Sequence, residues 1–72
     1  MVNMARVNRK RLHDLRIEKG YTQEELARTA DVTLRRVQDL EKKSGTNPTL
    51  DTLSRIARAL GVPTAELILD TE

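Results

Sequence analysis

The sequence predicts an all-α fold built from five short helices. Three observations carry that prediction. Apolar residues recur at the three- and four-residue spacing of a helix. A residue able to cap a helix precedes most of these stretches, and a glycine, aspartate or proline follows them. No segment alternates apolar and polar residues for long enough to be a half-buried strand.

Asn8 caps the first helix, and Val7 and Leu12 are spaced to staple its start. Leu12 and Leu15 form its apolar stripe, and Gly20 closes it in the left-handed conformation. Thr22 caps the second helix, Glu25 completes a capping box, and Tyr21 and Leu26 form another staple. Leu26, Ala27 and Ala30 supply its inner face. Asp31, a residue type that tolerates positive φ, then breaks it. Thr33 caps the third helix, with Val32 and Val37 at staple spacing and Val37 and Leu40 inward. The loop "KKSGTNP" ends at Pro48. Thr49 caps the fourth helix, and Asp51 in its first turn suits the dipole. Leu50, Leu53, Ile56, Ala57 and Leu60 make its stripe, and Gly61 stops it. "VPTAELILD" reads as a short fifth helix, 64–70. Helices below about 12–15 residues are marginal alone, so the second and third must pack against one another.

The 72 residues make a single domain. Residues 1–7 are expected to be a flexible basic arm. A domain this small buries only about 60% of its unfolded surface. With no cysteine there is no disulfide framework and no thiolate metal site. No apolar run is long enough to span a membrane, and the start "MVNMARVNRKR" lacks a signal peptide's apolar region. A cytoplasmic location is expected. So is the absence of enzymatic activity, cofactor and metal: His13 is the one histidine, Glu24 and Glu25 are adjacent and splay apart, and no glycine-rich phosphate loop appears. No small-molecule effector is evident.

The net charge is +2, but it is unevenly placed: +4 up to Pro48 and −2 after it. A basic front and an acidic rear fit a polyanion-facing side; a mixed, solvated surface is the alternative.

The stretch "TLRR" poses a sharper question. Arg35 and Arg36 fall in the first turn of the third helix. A cation at that positive end costs about 0.3–1 kcal/mol. The second and third helices with the three residues between them, about 22–42 in all, have the layout of a helix-turn-helix. In that unit the first turn of the second helix meets base edges in the DNA major groove. A bidentate arginine–guanine contact gives about 1–3 kcal/mol of discrimination, enough to offset the dipole. Two solvated arginines on a surface helix are the plainer reading.

From Leu12 to Ile68 the chain resembles the phage-repressor-like (Cro/C1-type, XRE) helix-turn-helix family. The resemblance rests on "LHDLRIEKGYTQEELA", on the valine, threonine, valine and "LE" of the third helix region, on "NPTLDTLSRIARALGV", and on "EL". It implies a compact five-helix bundle of the lambda-repressor-like kind, and transcriptional regulation by a homodimer on operator DNA, with the helix at 33–43 in the major groove. Gln23 matches a phosphate-binding position. Leu34, Arg35 and Asp39 match positions that touch bases, with Thr33, Arg36 and Gln38 beside them. Leu34 also suits a thymine methyl, and Asp39 either a cytosine amino group or Arg35 and Arg36. Arg16 and Glu41 match a structural ion pair between the first and third helices.

Two departures from the family stand out. Asp31 occupies a position usually held by glycine. After Glu41 the chain reads Lys42-Lys43, with glycine delayed to Gly45, so the third helix is expected to run about one turn longer with both lysines near phosphates. The cluster "ARVNRKR" either lies along the phosphate backbone or frays into solvent.

Leu67, Ile68 and Leu69 are consecutive; on a helix they span about 200°. They cannot all face one core, so at least one, Ile68 or Leu69, is expected to point outward, and the three are expected to build a homodimer interface through this helix. A protein-interaction module on the same fold is the rival function, and RNA binding is weaker because stacking aromatics are missing.

Overall fold

Oxygen caps set the start of all four α-helices. In the computed structural model, which describes residues 6–42, 45 and 47–69, α1 spans Arg9–Glu18, α2 Gln23–Ala30, α3 Leu34–Glu41 and α4 Leu50–Leu60. Asn8, Thr22, Thr33 and Thr49 each accept from a backbone N–H three residues on. At α2 the capping box is complete: Glu25 N–H bonds Thr22 Oγ1 at 3.0 Å and Thr22 N–H bonds Glu25 Oε1 at 2.9 Å. These caps satisfy donors that a helix start leaves unpaired.

Three helices end alike. Gly20, Asp31 and Gly61 take φ of 78°, 59° and 72°. The next residue then bonds back to the carbonyl five positions earlier: Tyr21 to Arg16 at 3.1 Å, Val32 to Ala27 at 3.0 Å and Val62 to Ala57 at 3.0 Å. Tyr21, Val32 and Val62 thereby pack onto the core. Asp31 takes the left-handed conformation without being glycine, as aspartate does more readily than most residues.

The helices close around Leu12, Leu26, Leu53, Ile56 and Leu67, all fully buried, with Val7, Val37, Leu40 and Leu60 beside them. Burying each large side chain contributes about 1.5–3 kcal/mol. Both α3 and α4 pack on α2, while α1 packs on α3. Leu50, read as part of the α4 stripe, stays 38% exposed; it is the first helical residue, at the rim of the core.

Two expectations about helix length are corrected. α3 does not gain a turn: it stops at Glu41, and Lys42 is extended. The carbonyls of Asp39 and Leu40, which another turn would use, accept from Arg9 Nη1 at 2.9 and 2.7 Å instead. The fifth helix at 64–70 shortens to one 3-10 turn, Thr64–Leu67, so the fold has four α-helices and that turn among the described residues. Ile68 then extends and pairs with Val7 in an antiparallel bridge. Asn8 N–H bonds the Leu67 carbonyl and Leu69 N–H the Arg6 carbonyl, each at 2.8 Å. These bonds use backbone groups that a longer helix would keep. They also pin Arg6 and Val7, so the arm read as 1–7 is anchored at its end, and Val7 is 5% exposed.

Candidate nucleic-acid interface

The candidate site is built on α3 and held from behind by α1. Val37 and Leu40 anchor α3 in the core. The opposite side then faces out. Thr33, Leu34, Arg35, Arg36, Gln38, Asp39 and Lys42 line one open groove along this helix. These are the residues singled out from the sequence on α3 and its flanks, apart from Lys43, which lies outside the described residues. Leu34 is 38% exposed, an accessible apolar contact amid polar groups.

Arg35 and Arg36 stand in the first turn of α3, where no acidic residue offsets them. Among the described residues neither side chain makes a hydrogen bond or ion pair. Two guanidinium groups thus stand at the positive end of a helix with no partner among the described residues, an arrangement the helix dipole disfavours.

Behind the groove, the last residue of α3 organises a polar cluster. Glu41 Oε2 accepts from Arg16 Nε at 2.5 Å, and Oε1 from Arg16 Nη2 at 3.0 Å. His13 Nδ1 lies 2.9 Å from the same Oε1, and Gln23 Nε2 donates to it at 3.3 Å. Burial pushes the Glu41 carboxyl up. The bonds from Arg16 and His13, the Arg16 charge and the Gln23 bond outweigh it and hold its pKa below the ordinary glutamate value. Arg16 also donates from Nη1 to the Tyr21 carbonyl at 2.8 Å. One carboxylate thus ties α1, α3 and the start of α2 together.

Gln23, matched from the sequence to a phosphate contact, is half-buried and turned toward Glu41. Its amide nitrogen has a second proton to give. The "ARVNRKR" cations are dispersed. Arg9 turns inward onto α3, Lys10 pairs with Asp14 at 2.9 Å, and Arg11 pairs with Glu66 at 2.7 Å. Sequence reasoning missed the inward turn of Arg9 and the joining of His13 and Gln23 to Glu41. The one available hint was spacing: Arg9, His13 and Arg16 share a face of α1 at i, i+4 and i+7.

Of the residues expected to form a dimer interface, Leu67 is fully buried in its own chain's core, whereas Ile68 and Leu69 are each 37% exposed. Leu67 is therefore withdrawn from that surface. Among the described residues no helix is long and apolar enough to cross a membrane, and no three His, Cys, Asp or Glu residues converge as a metal site.

Two short helices joined by a three-residue turn, the second presenting a polar outer face, define a helix-turn-helix domain. The family model described as "Helix-turn-helix" matches residues 12–67, and the chain belongs to the helix-turn-helix family of the Cro/C1 (XRE) type. The cryptic phage CTXphi transcriptional repressor RstR of Vibrio cholerae is 40% identical over 62 residues, covering 86% of this chain and 55% of that one. This chain thus spans about half the length of that curated relative. SinR, the master regulator for biofilm formation from Bacillus subtilis, has been solved in complex with DNA. That structure is 32% identical, with a TM-score of 0.75 over 79% of this chain and 90% of that one. The restriction-modification controller protein C.AhdI from Aeromonas hydrophila is 32% identical, with a TM-score of 0.77 over 83% and 89% of the two chains.

Proposed function

We propose that this chain is a transcriptional regulator that binds double-stranded DNA in a sequence-specific manner, with α3 in the major groove. The observation that carries the reading is the pair Arg35 and Arg36, exposed at the α3 N-terminus and without partners among the described residues. That is the part of a recognition helix that meets base edges. Lys42, at the other end of the groove, suits a phosphate. The likeness to a repressor and to a regulator solved on DNA supports the same role.

One recognition helix reads only a short half-site. Two-fold pairing sets two of them about 34–36 Å apart on one face of the duplex, so the reading includes a homodimer on a palindromic operator. Exposed Ile68 and Leu69 supply the contact in this proposal. A protein-interaction module is disfavoured by the outer face of α3, which is polar and cationic around the single leucine Leu34.

Selection of bound fragments from random duplex DNA tests the reading. Recovered sites should converge on one palindromic sequence. Recovery no different from the input pool would overturn it.

A further inference from the structure

The C-terminus of α3 is closed unlike that of any other α-helix in the fold. α1, α2 and α4 are each followed within two residues by one of positive φ, with their last carbonyls satisfied by the chain that follows. α3 ends on extended Lys42, whose N–H bonds Gln38 and Asp39 at 3.0 and 3.3 Å. The remaining donors come from another element. Arg9, the first residue of α1, sends Nη1 to the carbonyls of Asp39 and Leu40 at 2.9 and 2.7 Å. Its Nη2 reaches the Gly45 carbonyl at 2.6 Å. The guanidinium therefore joins the last turn of α3 to the loop that leaves it. Its charge sits at the negative end of the α3 dipole, where a cation is favoured.

Gly45 belongs to the same device. A Cβ built there runs into the Asp39 carbonyl and comes within 3.1 Å of Arg9 Nη1. The loop can close against the helix end only because position 45 has no side chain. Gly45 N–H also bonds the Lys42 carbonyl at 2.9 Å. Lys42 is thus fixed by its own amide and its own carbonyl, beside the groove it lines.

We propose that Arg9 is a positioning residue for the recognition helix. Together with Gly45 it sets the tilt of α3 and the place of Lys42, and so governs which DNA sequences the first turn of α3 can read. Glu41 and Arg16 hold the side-chain edge of the last turn; Arg9 holds its carbonyls. The role rests on the DNA-binding reading above. It also contradicts the simplest reading of a basic N-terminal cluster, in which Arg9 contacts phosphate itself.

The test compares Arg9→Ala, Arg9→Lys and Gly45→Ala with the parent chain on its selected site and on random duplex DNA, over a series of salt concentrations. The ratio of specific to random affinity should fall about tenfold in Arg9→Ala, the discrimination that one good arginine–base pairing supplies. The salt slope on random DNA should change no more in Arg9→Ala than in Gly45→Ala, which displaces the same loop and keeps every charge. Lysine keeps the charge but lacks the planar fork, so Arg9→Lys should not restore the ratio. Gly45→Ala keeps every charge and should lower the ratio too, with no further decrease when it is combined with Arg9→Ala. A slope reduced by about 0.9 on both DNAs in Arg9→Ala but not in Gly45→Ala would make Arg9 a phosphate contact and overturn the proposal. So would a lower melting temperature with both affinities intact. Amide hydrogen exchange of free Arg9→Ala supplies a readout without DNA: the last turn of α3 should lose protection. If the parent chain fails to discriminate the two DNAs, the DNA reading falls, and exchange alone still decides whether Arg9 holds the helix.

Discussion

Arg16 on α1 grips Glu41 on α3 at two points, Nε to Oε2 at 2.5 Å and Nη2 to Oε1 at 3.0 Å, with side-chain exposures of only 9% and 6%. A pair this sheltered matters through what its loss leaves behind. Removing one partner strands a charge whose solvation was given up on folding, at a cost of about 3–5 kcal/mol. The pairs Lys10–Asp14 and Arg55–Asp51 are exposed to solvent, where water and salt screen them and they add little to stability.

Arg16→Met and Glu41→Leu should each lower the melting temperature by at least about 12 °C, at roughly 4 °C per kcal/mol for a small domain. The double variant buries no lone charge and should lose less than the two single losses added. Thermal unfolding followed by circular dichroism measures all three; strictly additive losses would show that the two side chains are not coupled.

Acid should weaken the fold through Glu41. Its folded pKa lies below the ordinary value of 4.5, so the unfolded chain takes up the proton first as pH falls. The stability it contributes is therefore full above pH 4.5 and is lost as pH drops through the folded pKa. Asp14 and Glu25 are also lowered, by the Lys10 bond and by Thr22 respectively, but both are exposed. Glu41→Gln should flatten the acid limb of a denaturant-unfolding series far more than Glu25→Gln. Equal flattening by the two would place the linkage elsewhere.

On DNA, Arg35→Ala should weaken the best site by about 1–3 kcal/mol and relax choice at one base pair. Lys42→Ala should weaken all sequences alike and reduce the salt slope by about 1. Binding isotherms on the selected site, its single-base variants and random DNA separate the two outcomes. An Arg35→Ala loss that is equal on every sequence would make this residue a backbone contact.

Ile68→Glu and Leu69→Glu should give folded monomers with poor binding to a palindromic site, while the parent chain sediments as a dimer at micromolar concentration. Both side chains are exposed, and the Ile68 bridge to Val7 is made by backbone, so the substitutions need not disturb the core. Dimers that persist in both variants would put the interface on another surface.

Much of the fold was legible because the bonds that define helix ends are short in sequence. Thr22 and Glu25 are three residues apart, and so are the partners in the other caps. The groove residues of α3 were legible too. Val37 and Leu40 fix which side is buried, and helical periodicity then assigns the other side to solvent. The fifth helix was misjudged because its local pattern is helical through Leu69, whereas Val7, about sixty residues away in the chain, takes Ile68 into an extended pair.

Four α-helices, their caps, the residues Gly20, Asp31 and Gly61 that close three of them, and the outward face of α3 are written locally in the chain. Each depends on contacts three to five residues apart or on helical period, which composition and spacing encode directly. Where α3 stops, the burial of Leu67 and the turn of Arg9 toward a helix end depend instead on packing between elements far apart in the chain. Arg9 is separated from Asp39, Leu40 and Gly45 by 30, 31 and 36 positions. Whether it meets them depends on how α1 crosses α3, and no local pattern records that angle.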